Sequence, residues 1–321
     1  MDYFKERLTI KNLQYPRFIG GPLDGITDSP FRKLVREYSK QELLYTEMRH
    51  VRSIVTPKGG ALALDFAQFE RPLNFQVAAN STEAVAQACD KILQIGVDMI
   101  DLNIGCPARN VVSSGGGSSL MAQPEKLKEI LLEFRRSIPE HIPFTLKIRA
   151  GYKTVNAVDI AKLAQDCGVD ALAIHPRLQT QMFAGQPNYK VAAEVKRAVQ
   201  IPVLFSGNVV NFKTAKMTYD LTGVDGFLIG RGMWAKPWKL EEMHQHALGN
   251  EYVFDGSMML KAALLHLQLM MAQYGMHGLF RFRKNLPFYI KGHPCASALR
   301  ERLVRSESRE DIEKGLCEFL G

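Results

Sequence analysis

Residues 101–119 read DLNIGCPARNVVSSGGGSS, which sets Cys106 between the end of an apolar run and a triple glycine. No second Cys or His stands at zinc-ligand spacing from it, and none of the five cysteines forms a CxxC pair. A zinc site and a disulfide framework are therefore both disfavoured. That leaves a buried structural thiol or a reactive one. Cys89 and Cys167 fall on the apolar faces of helical patterns and read as core thiols, while Cys295 and Cys317 show no chemistry.

Two further stretches carry a different chemistry. Ser206-Gly207-Asn208 and Gly230-Arg231-Gly232 combine glycines, backbone donors and a guanidinium. Either glycine alone could be an ordinary tight turn. Two such turns on neighbouring loops favour a phosphate, with Gly207 and Gly230 allowing close backbone approach and Arg231 adding a charge-assisted fork. Lys147, between Leu146 and Ile148, emerges from apolar surroundings, and His175 ends another apolar run. The lysine could stabilise an anionic reduced ring, so flavin mononucleotide (FMN) fits: one phosphate and one ring. Pyridoxal phosphate, with Lys147 as Schiff base, competes.

These residues need elements to position them. Short apolar runs recur eight times: FIGG (18–21), LLYTE (43–47), LNFQV (73–77), DMIDLN (98–103), FTLKI (144–148), ALAIH (171–175), PVLFS (202–206) and DGFLIG (225–230). Helical patterns lie between them, such as AVDIAKLAQDCG, with Val158, Ile160, Ala161 and Leu163 on one stripe and Gly168 as its stop. Eightfold strand–helix alternation predicts an α/β fold, a (β/α)8 TIM barrel, followed by a small all-helical domain. The expected domains are a cofactor-binding barrel over 1–243 and a helical unit over 244–321. No GxGxxG follows the first strand, which argues against an open doubly wound sheet. In a barrel the chemistry lies where the strands end. Asp24, Glu47, Gln76, Asn103, Lys147, His175, Asn208 and Arg231 all stand there. One polar residue at a strand end has ordinary explanations; eight converging on one mouth indicate a site.

The chain has 321 residues, 46% hydrophobic and 23% charged, which is the composition of a globular domain. The first eighteen residues lack a continuous apolar core, and MMLKAALLHLQLMMA (258–272) is interrupted by Lys261, His266 and Gln268. It reads as an amphipathic helix, so a cytoplasmic protein without a membrane span is expected. Net charge is +8, and residues 276–305 hold seven Lys or Arg against one acid, Glu301. A charge run is usually a solvated helix face. Here Phe280, Phe282, Phe288 and Tyr289 lie among the cations, a mixture that fits a polyanion surface.

GPLDGITDSPFR (21–32), YTEM (45–48), DLNIGCP (101–107), SGGGSSLM (114–121), LKIRAGY (146–152), IHPR (174–177), SGNV (206–209) and IGRG (229–232) together resemble the tRNA-dihydrouridine synthase family in order and spacing. FRKNLPFYIKGHPCASALR (282–300) is similar to that family's helical-domain signature. The resemblance spans roughly residues 18–305. It implies a flavin-containing barrel that uses NADPH to reduce the C5–C6 double bond of uridines in tRNA. It further implies that Pro22, Leu23, Gln76, Lys147, His175, Gly207, Asn208, Gly230 and Arg231 hold FMN. Asn103 would position the uracil, and Arg177, Arg283, Lys284, Lys291 and Arg302 would face the RNA. Leu23, Pro176, Leu178, Asn208 and Asn285 depart from the usual residues of the pattern.

Cys106 is, by the same resemblance, the catalytic acid. The chemistry suits a thiol: with an ordinary pKa of about 8.5 it is protonated near neutral pH and can donate. The glycine loop is expected to let it swing or close over the base. A monomer acting on tRNA, with no DNA, membrane or metal partner, is the expectation. Two rival functions share these features: a small-molecule FMN dehydrogenase of the dihydroorotate or dihydropyrimidine type, and an RNA-binding module without chemistry. The basic, aromatic tail speaks against the first and the set Cys106, Lys147 and His175 against the second.

Overall fold

The eight apolar runs become eight parallel strands because each is buried on both faces. They are β1 (Phe18–Gly20), β2 (Leu44–Tyr45), β3 (Leu73–Ala78), β4 (Met99–Asn103), β5 (Phe144–Gly151), β6 (Ala171–Leu178), β7 (Val203–Ser206) and β8 (Gly226–Ile229). Each pairs with the next, and β8 returns to β1 through Ile229↔Gly20, closing the barrel. The computed structural model describes residues 3–292 and 296–321, so Cys295 lies outside the described residues.

Side-chain alternation divides the strands into two sets. Outward residues such as Phe75, Leu102, Ile148 and Phe205 join the large apolar layer beneath the helices. Inward residues Ile19, Met99, Ala171, Ala173, Leu204 and Leu228 fill the lumen. Leu8, Ile10 and Tyr15 belong to the same lumen cluster. They come from an antiparallel pair, Leu8–Ile10 with Leu13–Tyr15, that caps the barrel floor. Each strand of this pair is only three residues long, too short for a periodic signal.

Helix Ala157–Asp166 buries Ala157, Ile160, Ala161 and Ala164, and Val158 and Leu163 of the expected stripe pack partly buried against the same layer. Gly168 does sit in the left-handed region just past its end, with φ +82°. Beyond the barrel, five helices gather a second apolar cluster: Ser257–Tyr274, Met276–Phe282, Leu286–Tyr289, Ala296–Leu303 and Arg309–Leu320. Leu34 and Trp238 from the barrel side join that cluster. Helix Lys239–Leu248 runs across position 243/244, and its Met243 and Ala247 pack with the barrel layer. Among the described residues no helix is long and apolar enough to cross a membrane.

One buried ion pair fastens the first loop. Glu70, fully buried, accepts from Ser29 Oγ (2.6 Å), Arg32 Nε (2.8 Å) and Nη2 (2.7 Å), and the Ala67 amide (2.8 Å). Arg36 beside it donates to the carbonyls of Glu70, Ser39 and Pro72. Removing one partner of such a pair strands the other charge. Glu70→Ala is therefore expected to lower stability by about 3–5 kcal/mol, read by urea unfolding. A loss below about 1 kcal/mol would show that the pair contributes no more than an exposed one.

Candidate active site

All eight strand ends open into one cavity of about 1000 Å³. Leu23 follows β1 and Met48 follows β2; Gln76 lies on β3, Asn103 on β4, Lys147 on β5 and His175 on β6; Asn208 follows β7 and Arg231 follows β8. Cys106, three residues past Asn103, lines the same space. The cavity extends to Trp234, Met259, Phe288 and Lys291, at the seam with the C-terminal helices.

One end is built to meet an anion. Gly207 holds φ +134°, and a Cβ there would meet His175 Cδ2 at 3.1 Å, so only glycine fits without strain. At Gly230 an added Cβ would make ordinary contact with Leu23 at 3.5 Å, so protein atoms alone do not require glycine there. Among the described residues, no protein acceptor takes the amides of Asn208, Arg231 or Gly232. Arg231 is exposed and lies over the Phe183 ring at 4.9 Å. His175 Nε2 accepts from Arg177 Nη1 at 2.9 Å, which leaves its proton on Nδ1. Burial, reinforced by Lys147, Arg149, Arg177 and Arg231, pushes the imidazole down to about 2, so it stays neutral.

Lys147 meets no anion among the described residues. It forms no hydrogen bond or ion pair with any described residue. Burial, with Arg149 adding repulsion, lowers it to about 8, against the pull of Asp101 and Cys106. It is still an ammonium at neutral pH, and no described residue neutralises it by contact.

The Cys106 segment is tied down by its own backbone. Gly105 N donates to Asn103 Oδ1 at 2.9 Å, and Gly105 O accepts from Arg149 Nε at 2.8 Å. Cys106 O accepts from Ser118 N at 3.0 Å, and Gln179 reaches Pro107 O at 3.3 Å. The glycine loop makes a close approach to the same segment. Gly117, at φ +54°, lies so close that a Cβ would meet Cys106 O at 2.7 Å, so the loop packs under the cysteine and braces it.

Several functional groups escaped the sequence reading. Arg149, 2% exposed, joins Gly105 O to the carbonyls of Leu178 and Met182. Asp101 and Thr145 form a buried polar layer under Gln76 and Asn103. The period-two alternation along FTLKIRAG and DMIDLN could have found them, since 145, 147 and 149, like 101 and 103, share one face.

The cations expected against RNA separate into two groups. Arg177 is 1% exposed and donates to Ala184 O, Gly185 O, His175 and Asn208. Instead of facing substrate, it braces the loop after β6, because backbone carbonyls are within reach of its fork. Arg283 donates to Ser306 O and stacks over Phe280 at 4.6 Å; Arg302 pairs with Glu318 at 3.3 Å. Lys284, by contrast, is exposed with its amine against Gly25, and exposed Lys291 lines the cavity. Asn285 is buried and accepts from Trp234 Nε1 at 2.9 Å, tying the helices to the loop after β8.

The family model described as dihydrouridine synthase (Dus) matches residues 19–319. The tRNA-dihydrouridine synthase B of Xanthomonas campestris pv. campestris is 34% identical over 305 residues, covering 92% of this chain and 90% of that protein. A probable tRNA-dihydrouridine synthase 1 of Synechocystis sp. is 32% identical, covering 92% and 84%. Among solved structures, a 2-naphthoyl-CoA reductase complex aligns with TM-score 0.63 at 12% identity, over 78% of this chain and 52% of that one. Morphinone reductase in complex with tetrahydroNAD aligns with TM-score 0.58 at 13% identity, over 77% and 92%. These last two likenesses are of fold.

Proposed function

The chain belongs to the dihydrouridine synthase family, and from that premise we propose that it reduces uridines of tRNA to dihydrouridine, with FMN as cofactor and NADPH as reductant. One observation carries the reading. The unneutralised Lys147, the unused amides at Asn208 and at Arg231–Gly232, and the braced Cys106 all open into one cavity. The amides and Arg231 suit a single phosphate, and Lys147 suits the ring. Gln76 and His175 line the floor between them.

When bound and reduced, the flavin supplies a hydride to C6 of the base. The protein's own task is then the proton. Cys106 Sγ holds it and delivers it to C5 of the resulting enolate, and the half-exposed thiolate is reprotonated from solvent. Overall, uridine, NADPH and a proton become dihydrouridine and NADP+. Asn103 orients the uracil, and the backbone ties at 105–107 keep the thiol at a fixed height above it. We place the division between catalytic and RNA-docking units after Gly249, where helix Lys239–Leu248 ends.

The target nucleotide must leave its stack to reach this floor, at a cost of a few kcal/mol that contacts elsewhere offset. Lys284 and Lys291 at the rim fit that role, while Arg283 is taken up by Ser306 O and Arg302 makes a surface ion pair with Glu318. The pair Lys284→Ala and Lys291→Ala should lower the salt slope of tRNA binding by roughly one per lost phosphate contact. Arg302→Ala should leave it unchanged. The reverse pattern would move the RNA surface to the far side of the helices. The function itself is tested by mass spectrometry of nucleosides from tRNA treated with protein, FMN and NADPH. A product two hydrogens heavier than uridine is expected; turnover of free pyrimidines but not tRNA would favour a small-molecule dehydrogenase.

A further inference from the structure

The lumen is apolar on one side and polar on the other. Below the level of His175, the inward positions on β6–β8 are Ala171, Ala173, Leu204 and Leu228. On β3–β5 they include Asn74, Gln76, Asp101, Asn103 and Thr145, all buried. Barrel lumens are usually filled by branched apolar side chains, so a polar half-layer lying only beneath Gln76 and Asn103 calls for a purpose.

Its hydrogen bonds run in one direction. Asp101 Oδ1 accepts from Thr145 Oγ1 at 2.6 Å, and Oδ2 accepts from Gln76 Nε2 at 2.8 Å. Thr145 Oγ1 in turn accepts from Asn74 Nδ2 at 2.9 Å. Because Gln76 gives its amino group to Asp101, its carbonyl faces Asn103 and accepts from Nδ2 at 2.8 Å. Asn103 Oδ1 is then free to accept from Gly105 N. A carboxylate is acceptor-only, so the chain starts from a group that permits one amide orientation and rejects the flipped one. A flip at Gln76 would set its carbonyl against the carboxylate. Asn103 would then turn its amino group toward the Gly105 amide, donor against donor.

We propose that Asp101, held by Thr145, is a positioning residue that sets the orientation of the Gln76 and Asn103 amides. Gln76 thereby offers the cavity its second N–H, and Asn103 a second N–H beside a carbonyl lone pair. That donor–acceptor pair matches the imide edge of a uracil, which carries N3–H flanked by carbonyls. Asp101 touches neither ligand and acts through the two amides. Although burial raises Asp101 to about 6, hydrogen bonds from Thr145 and Gln76 oppose this, and it is ionised at neutral pH.

The inference rests on the reading of Asn103 as the uracil contact, and the variants separate the two. Asp101→Asn replaces one acceptor oxygen by a donor of the same shape. FMN titrated into the apoprotein, read by its fluorescence, should bind roughly 10-fold more weakly. At saturating FMN, the rate of tRNA reduction per bound flavin should fall by a similar factor, with KM for tRNA and the rate of flavin reduction by NADPH within about twofold. Thr145→Val, which removes one donor to the carboxylate and covers the case of a misfolded Asp101 variant, should shift both readouts the same way by roughly threefold. A structural role would lower the thermal midpoint and the yield but leave per-flavin rates and FMN affinity intact; that outcome, in either variant, overturns the proposal. Asn103→Ala is the control for the premise. If it reduced tRNA at the wild-type rate, the reading of Asn103 would fall, and this inference with it. If it were impaired while Asp101→Asn was not, this inference alone would fall.

Discussion

Replacing Cys106 by alanine is expected to cut dihydrouridine formation by about 10²–10⁴-fold, the usual contribution of a positioned general acid, while FMN stays bound and reducible by NADPH. The structure makes this a clean substitution. Every tie that holds the segment runs through backbone atoms or neighbours: Gly105 N to Asn103, Gly105 O to Arg149, Cys106 O to Ser118 N. None uses Sγ, so losing the thiol should leave the loop in place. Serine at 106 should rescue little, because a hydroxyl holds its proton far more tightly than a thiol. Stopped-flow bleaching of the flavin by NADPH separates the first half-reaction from the second, and nucleoside mass spectrometry reads the product. Wild-type reduction of tRNA by the alanine variant would make the thiol structural. Loss of flavin reduction as well would mean that Cys106 supports the cofactor and not the base.

What the sequence made legible was whatever depends on burial and on strand ends. Each of the eight apolar runs falls on one of the eight barrel strands, with β3, β5 and β6 continuing past the run, because parallel strands covered on both faces leave a continuous apolar record. Seven of the eight polar residues expected at the strand ends line one cavity; the eighth, Glu47, is buried beside it, accepting from Gly25 N and paired with Arg49. Hydrogen-bond commitments were not legible. Arg177 and Arg283 carry the same charge as Lys284 and Lys291, yet both guanidinium forks are taken by backbone carbonyls, from the adjoining loop for Arg177 and from the loop at Ser306 for Arg283. Nothing local to IHPR or FRKN shows that Ala184, Gly185 or Ser306 will be within reach. The triple glycine is ambiguous for a related reason: glycine marks both a hinge and a close approach, and at Gly117 the structure shows a close approach to Cys106 O. Asp101 is illegible in the sequence as well, since a lone carboxylate in an apolar strand has no partner until β3 and β5 lie beside it.

Lys147→Met is expected to weaken FMN binding by roughly 10- to 150-fold, the equivalent of about 1.5–3 kcal/mol for a hydrogen bond to a charged group. The same variant should be the more stable apoprotein at pH 7, and the opposition of these signs is the point. In the folded protein, burial holds Lys147 at about 8, below its ordinary 10.5. Between those values the unfolded chain binds more protons than the folded one, so apoprotein stability from this group rises with pH from about 8 to 10.5. Below 8 the ammonium is carried at a penalty, which methionine removes. An anionic ligand reverses the balance by favouring the charged form, so its binding raises the Lys147 pKa. FMN binding should then take up a proton above pH 8, and affinity should fall as pH rises through that range, by at most about tenfold per pH unit for one coupled proton. Calorimetry in two buffers of different ionisation enthalpy measures the uptake directly. In Lys147→Met the proton uptake and the pH slope should both vanish, while the thermal midpoint of the apoprotein at pH 7 rises. Unchanged FMN affinity with the slope retained would remove Lys147 from the cofactor site and assign the pH dependence to another group.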